Sequence, residues 1–193
     1  MEKEIEIYKF PKDDNEIVNF IFKKGHKNLL CVGVNPKSKC INDNNIDIIE
    51  RIATENGFDG WFIVNLYPKI EISVSLLEIE VDEKIFWENL NGIETVIHKN
   101  QFEFKTVWLH WGKEINSFNQ IYLKQCAYYL FEKFEKYNLE YVSIGEDINE
   151  NPLIPSITTN NKFQKFDYKR YAYKIKQTTK ILPQVILNGN EFK

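Results

Sequence analysis

LLCVGVNPKSKC (residues 29–40) runs from an unbroken apolar or small stretch into Asn35-Pro36 and then a polar loop. Six residues without polar alternation read as a short strand buried on both faces. The Asn-Pro step ends it, because the residue before proline is held extended and Asn-Pro opens turns. Beyond the loop, DNNIDIIERIATEN (43–56) places Ile46, Ile49, Ile52 and Ala53 on one stripe, with Asp43 or Asn44 as cap and Gly57 past the end. Strand, loop and helix therefore follow one another. WFIVNLY (61–67) is a second buried strand closed by Pro68, residues 81–99 form a helix ending near His98, and KTVWLHWG (105–112) is a third strand running into Gly112. Residues 118–137 give the longest helix, and LEYVSIG (139–145) a fourth strand. The spacing in EIVNFIFKK (16–24) predicts one further helix, stopped by Gly25. Apolar strands alternating with helices predict a three-layer α/β/α fold around a central, mostly parallel four-stranded sheet.

The 193 residues are enough to bury most of a core as one domain, residues 1–193, without disulfide or metal staples. No apolar run nears the roughly 20 residues of a spanning helix. MEKEIEIYKF alternates charges where a signal peptide would be apolar, so a cytoplasmic protein with no membrane association is expected. Cys31, Cys40 and Cys126 include no C-x-x-C pair, and His26, His98 and His110 have no metal-ligand spacing. The charge is uneven. In the C-terminal segment 161–180, seven basic residues against Asp167 give +6, so the formal −3 of the whole leaves −9 for the rest. Lys162, Lys165, Lys169, Arg170 and Lys174 interleave there with Phe163, Phe166, Tyr168, Tyr171 and Tyr173. That mixture suits phosphate contacts and base stacking, and equally an amphipathic terminal element with solvated lysines.

In open parallel sheets ligands bind outside the carboxyl ends of the strands. The four ends here are Asn35-Pro36-Lys37-Ser38, Asn65-Leu66-Tyr67-Pro68, Trp111-Gly112-Lys113 and Gly145-Glu146-Asp147. Two of them carry an Asn, whose amide donates and accepts at once. Asn-Pro as a plain turn opener is the simpler account of Asn35 taken alone.

VGVNPKS, a helix, GFDGWFIVNLYP, VWLHWG and SIGEDINENPLIPS, in that order over roughly residues 29–157, resemble the family called domain of unknown function 1643. Its members show a G-L-N-P-S-T-A turn, a G-Y-G-G-x-x-V-V-N-L strand, an A-W-G strand end and a late segment with His-Pro-Leu. That pattern is in turn similar to the uracil-DNA glycosylase superfamily, whose mismatch-specific branch has a G-I-N-P-G turn. The resemblance implies that Asn35 positions the water attacking the sugar, that Asn65 hydrogen-bonds a flipped base and that Tyr67 stacks on it. It further implies that Asn151 stands where these families carry a His, so Asn35 and Asn151 are the catalytic candidates. Pro36, Lys37, Ser38, Asn65, Tyr67, Trp111 and Gly112 are the candidates for substrate binding, and the basic set above for nucleic acid.

Two departures bear on the chemistry. Asn151-Pro152-Leu153 replaces the His, and an amide cannot become cationic to steady a leaving base. Lys37-Ser38-Lys39 replaces Ser-Thr-Ala, giving lysines that meet a phosphate or remain exposed loop charges. No G-x-x-x-x-G-K-[ST] loop and no G-x-S-x-G elbow competes. Asp43 with Asp47, and Glu146 with Asp147, are explained by an acidic helix start and an exposed loop, so neither a metal nor a cofactor is expected. The expected function is hydrolysis of the N-glycosidic bond of a modified or damaged base in DNA. The alternative is a non-catalytic module that binds a nucleotide or nucleic acid in the same pocket.

Overall fold

The apolar runs assemble into a mixed sheet with helices on both faces in the computed structural model, which describes residues 5–8, 20–36, 44–70, 83–98, 103–116, 120–156, 161–179 and 181. In chain order the elements are β1 (Glu6–Tyr8), β2 (Phe20–Lys23), β3 (Asn28–Gly33), α1 (Asn44–Glu55), β4 (Gly60–Asn65), α2 (Glu83–His98) and β5 (Thr106–Leu109). A 3-10 turn (Gly112–Asn116) follows, then α3 (Gln120–Phe134), β6 (Glu140–Ser143), β7 (Gln164–Lys165) and α4 (Tyr168–Thr178). The sheet order is β1-β2-β4-β3-β5-β6-β7.

The four strands read from the sequence are present, adjacent and mutually parallel. The expectation of a four-stranded sheet was nevertheless too small. Among the described residues β1, β2 and β7 extend it to seven strands by antiparallel pairing. The helix expected over 16–24 is also corrected, because residues 20–23 of its described part, 20–24, are strand β2. Four residues are too few for a period to decide, and the aromatic and β-branched content of FIFK fits a pleated surface better than a helix. Phe22 stacks on Phe62 with ring centroids 4.6 Å apart, and Lys23 reaches Glu50 of α1 at 2.7 Å.

Strict alternation along each strand builds two cores. Leu29, Cys31, Trp61, Ile63, Trp108 and Val142 face one side, where Ile46, Ile49, Ile52 and Ala53 of α1 cover them. Leu30, Val32, Phe62, Val64, Val107, Leu109 and Tyr141 face the other, under α2, α3 and α4. The α1 stripe is the one that the sequence predicts. Burying each isoleucine fully is worth roughly 1.5–3 kcal/mol, so α1 is held by this face rather than by helix propensity. Burial leaves the thiols of Cys31 and Cys126 free and well above their ordinary pKa. Cys40 lies outside the described residues.

Candidate functional site

From β3 the chain crosses through α1 to β4 on one side, and returns through α2 to β5 on the other side of β3. The loops leaving β3 and β5 therefore diverge toward opposite faces of the sheet, and their carboxyl ends bound the crevice where such sheets take ligands. A cavity of about 140 Å³ opens there on the α1 side. Gly33, Asn35, Pro36, Asn65, His110 and Glu114 line it, against apolar walls from Ile46, Ile49, Ile63 and Ile154.

The floor is a row across three adjacent strands. Gly33 of β3 pairs with Asn65 of β4, and the His110 amide donates to Val32 O at 3.0 Å, continuing the β3–β5 ladder. Strands lie about 4.8 Å apart, so Asn65 and His110 stand roughly 10 Å from each other with Gly33 between them. A methyl group at Gly33 would sit 2.9 Å from Asn65 Oδ1 and 3.0 Å from His110 Cε1. The absent side chain is thus what lets an amide and an imidazole lean together over bare backbone. Asn89 of α2 steadies the end of β4, its Nδ2 donating to Asn65 O at 2.9 Å and Leu66 O at 3.2 Å. Asn35 is buried beside the row and donates from Nδ2 to Pro36 O at 3.2 Å.

His110 has no place among the sequence-predicted site residues. It is 9% exposed and packs on Trp108, with ring centroids 4.8 Å apart. Burial pulls its pKa from the ordinary 6.5 down to about 4, so the ring is neutral at pH 7. Its Nε2 has no partner among the described residues. Glu114, half-buried on the 3-10 turn, is a second lining residue missed from the sequence. Strand pairing alone brings Gly33, Asn65 and His110 to one level, and the ends of the apolar runs in the sequence do not align them.

Other expected residues go elsewhere. Lys37 and Ser38 lie outside the described residues. Tyr67 is buried in the opposite core, edge-on to Tyr122 at 5.1 Å, and is not placed to stack on a ligand in this cavity. Trp111 is likewise buried there, donating from Nε1 to Tyr171 Oη at 3.3 Å. Gly112 holds φ +61° and donates to Pro152 O at 2.8 Å; any side chain on it would collide with Ile154. It therefore shapes the wall instead of touching the cavity.

Asn151 is not brought to Asn35. Its Nδ2 donates to the Asp147 carboxylate at 3.2 and 3.0 Å, and its Oδ1 accepts from Tyr171 Oη at 2.7 Å. It lines a separate cavity with Lys124, Lys174 and Thr178. Burial opposes ionisation of Asp147, yet the bonds from Asn151 and the Asn149 amide prevail and hold its carboxyl below the ordinary range. This residue set closes the loop after β6.

The basic segment is not a continuous stacking surface. Phe163 packs toward Trp108, Tyr168 stacks on Tyr141 at 4.1 Å, and Phe166 and Tyr171 are buried, which leaves Tyr173 exposed among the five interleaved aromatics. Arg170 pairs with Glu146 and Glu150 at 3.5 and 3.1 Å, Lys174 with Glu150 at 3.2 Å, and Lys162 donates to Glu55 O at 2.7 Å. Lys165 and Lys169 are exposed.

Among the described residues no three His, Cys, Asp or Glu side chains gather as a metal set, and no helix is long and apolar enough to cross a membrane. No curated protein and no solved structure matches the chain. A family model does match, over residues 19–155, a span that holds Asn35, Asn65, His110, Glu114 and Asn151. The chain thus belongs to the family described as "Protein of unknown function (DUF1643)".

Proposed function

We propose that the cavity at the ends of β3, β4 and β5 receives a nucleobase, and that the protein is a uracil-DNA-glycosylase-like hydrolase acting on a modified or damaged base in DNA. The observation that carries this reading is the row Asn65–Gly33–His110 beside Asn35, at the topological switch of the sheet. Two neutral polar side chains over a bare backbone floor, between isoleucine walls, suit a flat, uncharged, polar ring. The volume, about 140 Å³, is below the roughly 300 Å³ at which pockets begin to take larger ligands, which fits one ring.

In the reaction the bond from the sugar's anomeric carbon to the base nitrogen breaks, and the base leaves with its electron pair. The water oxygen bonds to the anomeric carbon, and one water proton ends on the departed base. Asn35 orients the water, and Glu114 is the carboxylate in the cavity able to take its proton in transit. Asn65 and His110 meet the base. Holding the reactants in line supplies much of the rate, since an amide is a poor base.

One observation favours the non-catalytic alternative. The pairing of Arg170 and Lys174 with Glu150 leaves less positive charge for a DNA backbone than the sequence promised. The test is single- and double-stranded DNA carrying uracil, hydroxymethyluracil or other modified bases, scored for alkali-labile abasic sites with Asn35→Ala in parallel. Release by the wild type and its loss in the variant is the expected result. Abasic sites formed equally by the variant would remove Asn35 from the reaction, and base binding without release would leave the recognition module.

A further inference from the structure

We propose that the cavity formed by α3, α4 and the loop after β6 binds a phosphomonoester, whose dianionic phosphate bridges the ammonium groups of Lys124 and Lys174. The site lies on the opposite face of the sheet from the nucleobase cavity, and it stands whether or not that cavity takes a base.

Two separate helices bring cations to one hollow. Lys124 of α3 and Lys174 of α4 both line a cavity of about 330 Å³. Lys174 is fixed there by the loop after β6, its Nζ donating to Asn149 O at 2.8 Å and to Glu150 Oε2 at 3.2 Å. An ammonium has three N–H donors, so a third remains for a ligand. Glu150 does not belong to Lys174 alone, because the same carboxylate receives Arg170 at 3.1 Å. Lys124 is half-buried, and its pKa is lowered from the ordinary 10.5, first by burial and then by the charge of Lys174. The two like charges therefore stand close enough to repel. The lining holds both ammonium groups and no carboxylate, for Asp147 is bonded by Asn151 and lies outside it. A dianion seated between the two lysines turns their repulsion into attraction.

Neutral groups complete the site. Asn116, from the turn after β5, and Asn149 line it with amides, which donate to oxygen. The Tyr171 hydroxyl and the Asn151 amide, bonded to each other at 2.7 Å, fix another part of the wall. A phosphomonoester carries about −1.5 to −2 charges at pH 7 and three acceptor oxygens, which matches two ammonium groups with amide donors beside them. A carboxylate brings one charge and leaves one ammonium uncompensated, and so does a phosphodiester within a strand. The volume stands at the lower end of the roughly 300–1,000 Å³ of ligand pockets, which leaves room for a small organic group beside the phosphate. That group belongs to a small phosphate ester or to the 5′-phosphorylated end of a DNA strand, and the phosphate chemistry is the same in both.

The experiment uses the full chain with inorganic phosphate, ribose 5-phosphate, and a DNA oligonucleotide with and without a 5′-phosphate. Calorimetry gives affinities for wild type, Lys124→Gln, Lys174→Gln and, as a control, Lys105→Gln, an exposed lysine just before β5 at the opposite edge of the sheet. Circular dichroism confirms that each is folded. Phosphate affinity should fall roughly ten- to a hundredfold in Lys124→Gln and in Lys174→Gln, and stay unchanged in Lys105→Gln. In NMR of 13C-labelled lysines, Lys124 should titrate at higher pH once phosphate is bound. Ribose 5-phosphate bound as tightly as the phosphorylated oligonucleotide assigns the site to a small ester. Tighter binding of the oligonucleotide, lost when its 5′-phosphate is absent, assigns it to a DNA end. Failure of all three phosphate probes to bind the folded wild type, or unchanged affinity in Lys124→Gln, would overturn the site, while binding of a free base in the other cavity is read separately.

Discussion

Replacing His110 by Phe should remove most of one acid-sensitive component of stability. The ordinary imidazole titrates at 6.5, whereas His110, buried on Trp108, titrates at about 4. Between those values the unfolded chain binds a proton that the folded chain does not, so stability rises with pH across the window and falls as pH drops through it. At about 1.4 kcal/mol per pH unit, the wild type should lose about 3 kcal/mol from this group between pH 7 and pH 4. Carboxylates such as Asp147 and Glu94, both held below their ordinary range, lose stability in acid as well, but they are common to both chains and cancel in the difference. Urea unfolding at pH 7, 6, 5 and 4, compared between wild type and His110→Phe, isolates the term as a difference in slope, whatever offset the new ring brings. Parallel pH profiles would refute the neutral, buried state of His110.

Other substitutions test the surrounding geometry. Gly33→Ala should cost about 1–3 kcal/mol by urea unfolding and abolish base binding, because the methyl displaces both Asn65 and His110. Asn151→Ala strips partners from Asp147 and the Tyr171 hydroxyl, and should cost about 1–3 kcal/mol while leaving affinity for a free base within about twofold. Changing Lys165 and Lys169 together to Gln should weaken binding to DNA and flatten its salt dependence, read by fluorescence anisotropy, with free-base affinity unchanged.

Strands β3 to β6 and helices α1 to α3 were legible in the sequence because each is a long apolar run or a full amphipathic stripe. Strand β2 was not, since Phe20 to Lys23 is too short for its period to speak and gains its place only by pairing with β4. Of the site, Asn35, Pro36 and Asn65 were legible as strand-end residues, and they do meet in one cavity. Trp111 was misplaced because faces alternate along a strand and it follows His110, whereas Tyr67 lies two residues past Asn65, where β4 has ended and alternation no longer sets the face. His110 was overlooked as a lone histidine between apolar neighbours, although it stands level with Gly33 and Asn65. Asn151 was assigned by its motif position, and only the fold shows its amide engaged by Asp147 and Tyr171. The charge of segment 161–180 misled because sequence alone does not show that the loop at 146–150 brings Glu146 and Glu150 against it.

The central claim is that the crevice between β3 and β5 takes a nucleobase. A crystal structure of the chain soaked with uracil tests it most directly. The expected result is a ring lying over Gly33, bonded to Asn65 on one side and in contact with His110 on the other. A ring seated instead in the cavity beside Asn151, or along α4, would contradict it.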